Sequence, residues 1–177
     1  MKKNRLYFLI FLVLSYSNEV VFLNGDRAKQ LLEKQCKFGP RNPGSDGHTK
    51  AANFFIDFLK NNSDTVMVFN HNTVSPISGR DVTLTNILAR YNPYYEDRMI
   101  LLAHWDTREI AEKDKDKNKR NQPIIGANDG ASGVSVLLAI SELLNDSPLK
   151  NIGVDILLVD GEDMGVEGNI NSWGIGT

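Results

Sequence analysis

At 177 residues, 41% hydrophobic and 24% charged, the chain has the size and composition of one globular domain with a substantial core, and it is neither disordered nor fibrous in character. A formal net charge of −2 lacks the basic footprint of a nucleic-acid-binding protein. Cys36 is the single cysteine, which excludes an intrachain disulfide.

Met1-Lys2-Lys3-Asn4-Arg5 is a basic start, residues 6–14 are almost wholly apolar, and Ser15-Tyr16-Ser17 places small residues at alternate positions. This is the layout of a secretory signal peptide over residues 1–17. The apolar run is short for a bilayer span, and the other reading is an uncleaved anchor. Both readings place the body of the protein outside the cytoplasm, periplasmic or secreted, with no stable membrane insertion after signal cleavage. Removing residues 1–17 takes Lys2, Lys3 and Arg5 from the 20 basic residues and none of the 22 acids, so the balance becomes −5. An exported chain without disulfides fits a bacterial envelope protein.

The remaining residues, 26–177, show no internal repeat. Residues 26–35 predict a short helix with Ala28, Leu31 and Leu32 on one face. Residues 38–45 hold two prolines and two glycines and predict a loop. Residues 46–60 predict an amphipathic helix, with Ala51, Phe54, Phe55, Phe58 and Leu59 at three-and-four spacing and Ser45 or Asp46 as its cap. Residues 65–69 and 83–89 predict strands. Residues 98–103 predict a buried strand that stops at His104-Trp105-Asp106. The mixed-charge run 107–121 reads as a solvated, mobile loop without chemistry. Residues 129–144 are apolar on most sides and predict a buried helix, opened by Gly126-Ala127-Asn128-Asp129-Gly130-Ala131-Ser132-Gly133. Residues 154–159 predict a central strand that stops at Asp160-Gly161-Glu162-Asp163.

Ligands gather beyond the carboxyl ends of strands in an α/β sheet. Three separate segments therefore deliver His104, Asp106, Asp129, Glu162 and Asp163 to one sheet edge, as in a hydrolytic zinc site. Each signal also has a plain structural reading. Taken in isolation, His104 in His-x-Asp reads first as a partly buried imidazole bonded to backbone. Asp129 is read as a helix N-cap, although this leaves the crowding of glycines and small polar residues unexplained. Adjacent acids such as Glu162 and Asp163 are commonly just solvated. His48, in the first turn of its helix, reads as a solvated helix residue. If the acids do form a site, one carboxylate holds the metal and its neighbour is the general base.

The order of these segments resembles the zinc aminopeptidase and glutaminyl cyclase superfamily, from about Gln30 to the C-terminus. Phe38-Gly39-Pro40-Arg41-Asn42-Pro43-Gly44-Ser45 is similar to the segment before the first long helix in the cyclase branch. His104-Trp105-Asp106-Thr107-Arg108 is similar to its bacterial members. The resemblance implies a three-layer α/β/α sandwich with a mostly parallel, mixed central sheet, incomplete at the C-terminus. It implies Asp129 and Asp163 as zinc ligands and Glu162 as general acid/base. His104 is a ligand of a second metal in the peptidase branch and supports the site from behind in the cyclase branch. Asp106 orients His104. The cofactor is Zn2+, one ion in a cyclase and two in an aminopeptidase. The family's further acidic ligand and C-terminal His ligand would lie downstream of Thr177.

Three functions follow from the resemblance. A glutaminyl-peptide cyclotransferase closes an N-terminal Gln to pyroglutamate and releases ammonia. A zinc aminopeptidase hydrolyses the first peptide bond. An inactive fragment carries the site residues without activity. Peptide or protein N-termini are the expected substrates, and no nucleic acid. The long spacing 164–172 before Trp173-Gly174-Ile175-Gly176-Thr177 is similar to the cyclase branch.

Overall fold

The computed structural model describes residues 22–176. The expected signal segment, 1–17, lies outside the described residues. Two helices come first, α1 (Gly25–Cys36) and α2 (Asp46–Asn62), followed by strands β1 (Thr65–Val74), β2 (Asp81–Tyr91) and β3 (Arg98–His104). Helix α3 (Ala131–Asp146) then crosses to β4 (Gly153–Val159). Short 3-10 turns lie at Lys117–Lys119 and Ile170–Ser172. The helix starts follow local chemistry: Asn24 accepts from the Arg27 N–H, and Ser45 accepts from the His48 N–H.

The strands form an open mixed sheet in the order β1-β2-β4-β3. β1 and β2 are an antiparallel hairpin from Thr65 opposite Arg90 to Val74 opposite Asp81. β2 runs antiparallel to β4, and β3 runs parallel to β4 through the α3 crossover. The mixed α/β sheet is the one the resemblance implies, but among the described strands two of the three pairings are antiparallel rather than mostly parallel, because β1-β2 is a hairpin and β2 runs against β4. Ile87, Ala89 and Tyr91 of β2 stand opposite Leu158, Ile156 and Val154 of β4, so all six share one face. That face packs with Leu31, Phe55, Leu59, Val134 and Leu138 in one core, which places α1, α2 and α3 together over it. On the other face Val82 and Leu84 pack with Met164 and Ile175 from the segment after β4.

β4 is central and buried, as its continuous apolar run predicts. β3 differs from expectation. Its run is equally apolar, yet Met99, Ile100 and Leu102 are exposed, because β3 pairs only with β4 and forms the sheet edge. Asp155, inside β4, is held by Arg98 and Arg90, and these guanidiniums keep its carboxyl low, at about 2.

Three further expectations change. His48 is buried rather than solvated, bonded to Asp160 and stacked on Trp105 at 4.4 Å between ring centroids. Helix α3 begins at Ala131 with Gly130 at its N-cap, so Asp129 does not cap it. The 107–121 segment is anchored at its start: Thr107 is buried, and Arg108 donates to the Asp163 and Gly165 carbonyls.

Candidate metal-binding site

The site is built where β3 and β4 end together. His104 is the last residue of β3, and the ladder continues one step beyond the strands through the Trp105 N–H and the Val159 carbonyl, at 2.9 Å. Residues 104–106 and 160–163 therefore leave the sheet side by side. Parallel strands deliver their carboxyl ends to one edge in this way.

Asp106 is fully buried and accepts the N–H groups of Glu162 at 3.2 Å and Asp163 at 3.0 Å. One carboxylate thus fixes the backbone of both acids. Its Oδ1 also stands 3.5 Å from His104 Nδ1, at the limit of a hydrogen bond. The resemblance implies for Asp106 only the orienting of His104. Its bonds to the acid loop are invisible in sequence, because backbone N–H groups carry no residue signature.

The glycine-rich turn brings the third segment in. A Cβ on Gly130 would lie 2.3 Å from the His104 carbonyl and 2.8 Å from its ring. A Cβ on Gly126, where φ is +60°, would meet the Asp129 carbonyl at 2.2 Å. These two positions let the backbone close on His104, and Asp129 Oδ1 reaches His104 Nε2 at 2.8 Å. The Asp129–Gly130 peptide is cis. Glu162 Oε2 stands 3.9 Å from His104 Nδ1, and its side chain is about half exposed.

The charges of this cluster are unbalanced. The imidazole of His104 is pushed up to about 9, chiefly by Asp106, with Glu162 and Asp129 adding to it against the effect of burial. The carboxyl of Asp163 is pushed up to about 7, first by burial and then by Asp106, Asp129 and Glu162, while Arg108 opposes. Asp163 thus carries the signature of a buried carboxylate set among other acids.

A divalent cation fits this donor set in charge and ligand type. Asp129 and Asp163 come from different segments, carboxylates and imidazole are zinc ligands, and the buried His104 Nδ1 meets no acceptor closer than Asp106 Oδ1 at 3.5 Å. The fit is partial: among the described residues no three His, Cys, Asp or Glu side chains converge as a ready coordination group.

Behind the site lies a pair that the sequence does not suggest. His48 Nε2 meets Asp160 Oδ2 at 2.7 Å, and the same oxygen accepts the Thr85 N–H at 2.7 Å. Burial raises the Asp160 carboxyl, against His48. The available signal was Asp160 itself, the first acid after a fully buried strand.

Fold and site together define an α/β protein with a carboxylate-rich cluster at the ends of two parallel strands. Peptidase family M28 matches residues 86–171, which include every acid of the cluster. A glutaminyl cyclase of Bacteroides thetaiotaomicron, solved with N-acetylhistamine bound, superposes with a TM-score of 0.83 at 34% identity, over 89% of this chain and 55% of that one. A Zn-dependent exopeptidase of Parabacteroides distasonis superposes with a TM-score of 0.78 at 31% identity, over 87% of this chain and 54% of that one. The glutaminyl-peptide cyclotransferase of Drosophila melanogaster is 26% identical over 128 residues, 70% of this chain and 33% of that protein. The described chain thus shares its fold with bacterial glutaminyl cyclases and Zn-dependent exopeptidases, and its residues 86–171 are similar to peptidase family M28. It spans about half the length of the solved relatives and a third of the curated one.

Proposed function

We propose that the chain carries the acid/base and metal-binding half of a glutaminyl-peptide cyclotransferase, acting on peptide and protein N-termini. The observation that carries this reading is the likeness to a bacterial glutaminyl cyclase along nearly the whole described chain. The segment after the acids supports it. Trp173 packs on Gly165 and lies under the Arg108 guanidinium at 4.7 Å, which folds residues 164–173 back against the acid loop.

Asp129 and Asp163 would hold one zinc ion, which polarises the side-chain amide carbonyl of the substrate Gln. Glu162, half exposed at the front of the site, takes a proton from the substrate α-amine. The amine nitrogen attacks the side-chain carbonyl carbon, and the carbon–nitrogen bond to the leaving group breaks. Glu162 returns the proton, and ammonia leaves. Asp106 holds the backbone on which Glu162 and Asp163 stand. His104 orients Asp129.

A second reading is a zinc aminopeptidase, favoured by the match to the M28 family and to a Zn-dependent exopeptidase. There Glu162 activates water instead, and His104 joins a second metal ion. In both readings residues 26–177 belong to the catalytic domain, and residues 1–17 direct export. No helix among the described residues is long and apolar enough to cross a membrane.

The test is ammonia release from a Gln-initiated peptide beside hydrolysis of a leucine anilide, using the zinc-loaded chain. Ammonia release that falls by about 10²-fold or more in Glu162→Gln is expected. Anilide hydrolysis without ammonia release assigns the aminopeptidase, and silence on both, with no zinc bound, assigns an inactive fragment.

A further inference from the structure

Arg41 belongs to the loop between α1 and α2 and has no solvent exposure. A buried guanidinium is costly unless its donors are met. Here Nε donates to the Trp105 carbonyl at 3.0 Å, Nη1 to Ile125 at 2.9 Å and Nη2 to Gly126 at 3.0 Å. Its backbone N–H donates to Thr107 Oγ1 at 2.8 Å. Two of the four acceptors, the Trp105 and Gly126 carbonyls, lie in the two segments that carry the candidate site, and the other two, Thr107 and Ile125, lie one residue beside them. Trp105 stands between His104 and Asp106, and Gly126 opens the turn that presents Asp129. Among the described residues no carboxylate lies within ion-pair distance of Arg41, so the guanidinium is spent on backbone carbonyls.

A planar fork with donors in fixed directions can bind carbonyls of two segments at once, whereas a lysine ammonium is a point charge. Nothing else about the position requires a charge, because a buried loop residue between helices is ordinarily served by an apolar side chain. We propose that Arg41 is a positioning residue that fixes the spacing between residues 104–106 and residues 126–129. This rests on reading those residues as a metal site. The contact that the spacing delivers is Asp129 Oδ1 on His104 Nε2, at 2.8 Å. The Pro-rich segment 38–45 thereby takes on a role in the site without touching it.

The test compares the full chain with Arg41→Ala and Arg41→Lys by amide hydrogen exchange and by zinc affinity against a chromophoric chelator. The informative amides are Ala131, which donates to the Gly126 carbonyl, and Glu162 and Asp163, which donate to Asp106. Leu138 and Ile156 report the core. In Arg41→Ala, Ala131 loses about tenfold or more in protection, zinc affinity falls by about 10–100-fold, and the core amides hold. Guanidinium at millimolar concentration, far below denaturing levels, restores both readouts, and methylammonium restores neither. Arg41→Lys behaves as Arg41→Ala.

Unchanged exchange at Ala131 overturns the proposal. So does an equal loss at Leu138 and Ile156 with no rescue by guanidinium, which would make Arg41 a packing residue only. If the parent chain binds no zinc, the metal reading of the site fails. The exchange and rescue data then still decide whether Arg41 sets the spacing.

Discussion

His48 and His104 each hold an aspartate at almost the same distance, 2.7 Å to Asp160 and 2.8 Å to Asp129. The first pair is sealed, with side chains 7% and 0% exposed, and the second is open, at 19% and 66%. The difference comes from the elements that carry them: His48 lies in α2 and Asp129 in the open turn before α3, and their partners follow or end different strands. Asp160 follows β4, covered by a neighbour on each side, and His104 ends β3, which has a neighbour on one side only. Identical side-chain chemistry thus becomes a structural brace in one place and a candidate site in the other. Depth in the sheet decides which, because a sealed pair offers no ligand position to solvent.

The sharpest way to break this comparison is His48→Leu. It leaves Asp160 buried with the Thr85 N–H still bonded to it but no imidazole. Removing one partner of a buried pair is expected to lower unfolding stability by about 3 kcal/mol, read from urea titration. His104→Leu is expected to cost less, about 1–2 kcal/mol at pH 7, since Asp129 remains hydrated. Equal losses in the two variants would show that exposure does not separate the pairs.

Titration sharpens the comparison from the open side. His104 has a folded-state pKa of about 9 against an ordinary value of 6.5. Between these values the folded chain keeps a proton that the unfolded chain has released. The resulting stabilisation is whole below about pH 6.5 and is lost as pH rises through about 9. With the His104 side chain itself 19% exposed to solvent, the screened size is about 1–2 kcal/mol. Urea midpoints of the metal-free chain should therefore fall between pH 6.5 and 9, and His104→Gln should remove that part of the slope. A slope that persists in His104→Gln would assign the effect to other groups.

Much of this was legible in the sequence, and the exceptions share a cause. The spacing of Ala51, Phe55 and Leu59 and the Ser45 cap identify α2, and the apolar run before Asp160 identifies β4. The same reasoning makes β3 a buried strand, because a continuous apolar run does not say how many neighbours a strand has. His48 looks solvated because its partner lies 112 residues away. Asp129 looks like a helix cap because N-capping is the common use of an aspartate before a helix, and the turn instead places Gly130 at that position. Local rules located the acids; contacts distant along the chain decided their partners.

The smallest expected effect tests where the open pair gets its exposure. Ile100 lies on the face of β3 that also carries His104, and it is 64% exposed. Ile100→Thr keeps β-branching and removes little buried surface, so stability should change by no more than about 0.5 kcal/mol. The same exchange at Ile156, in the centre of the adjoining β4 and fully buried, removes apolar contact and buries a hydroxyl. It should cost about 2 kcal/mol or more. Urea midpoints at an unchanged m-value would measure both. A loss at Ile100 as large as that at Ile156 would mean that the outer face of β3 is covered in solution. The openness of the His104–Asp129 pair would then need a source other than the edge position of its strand.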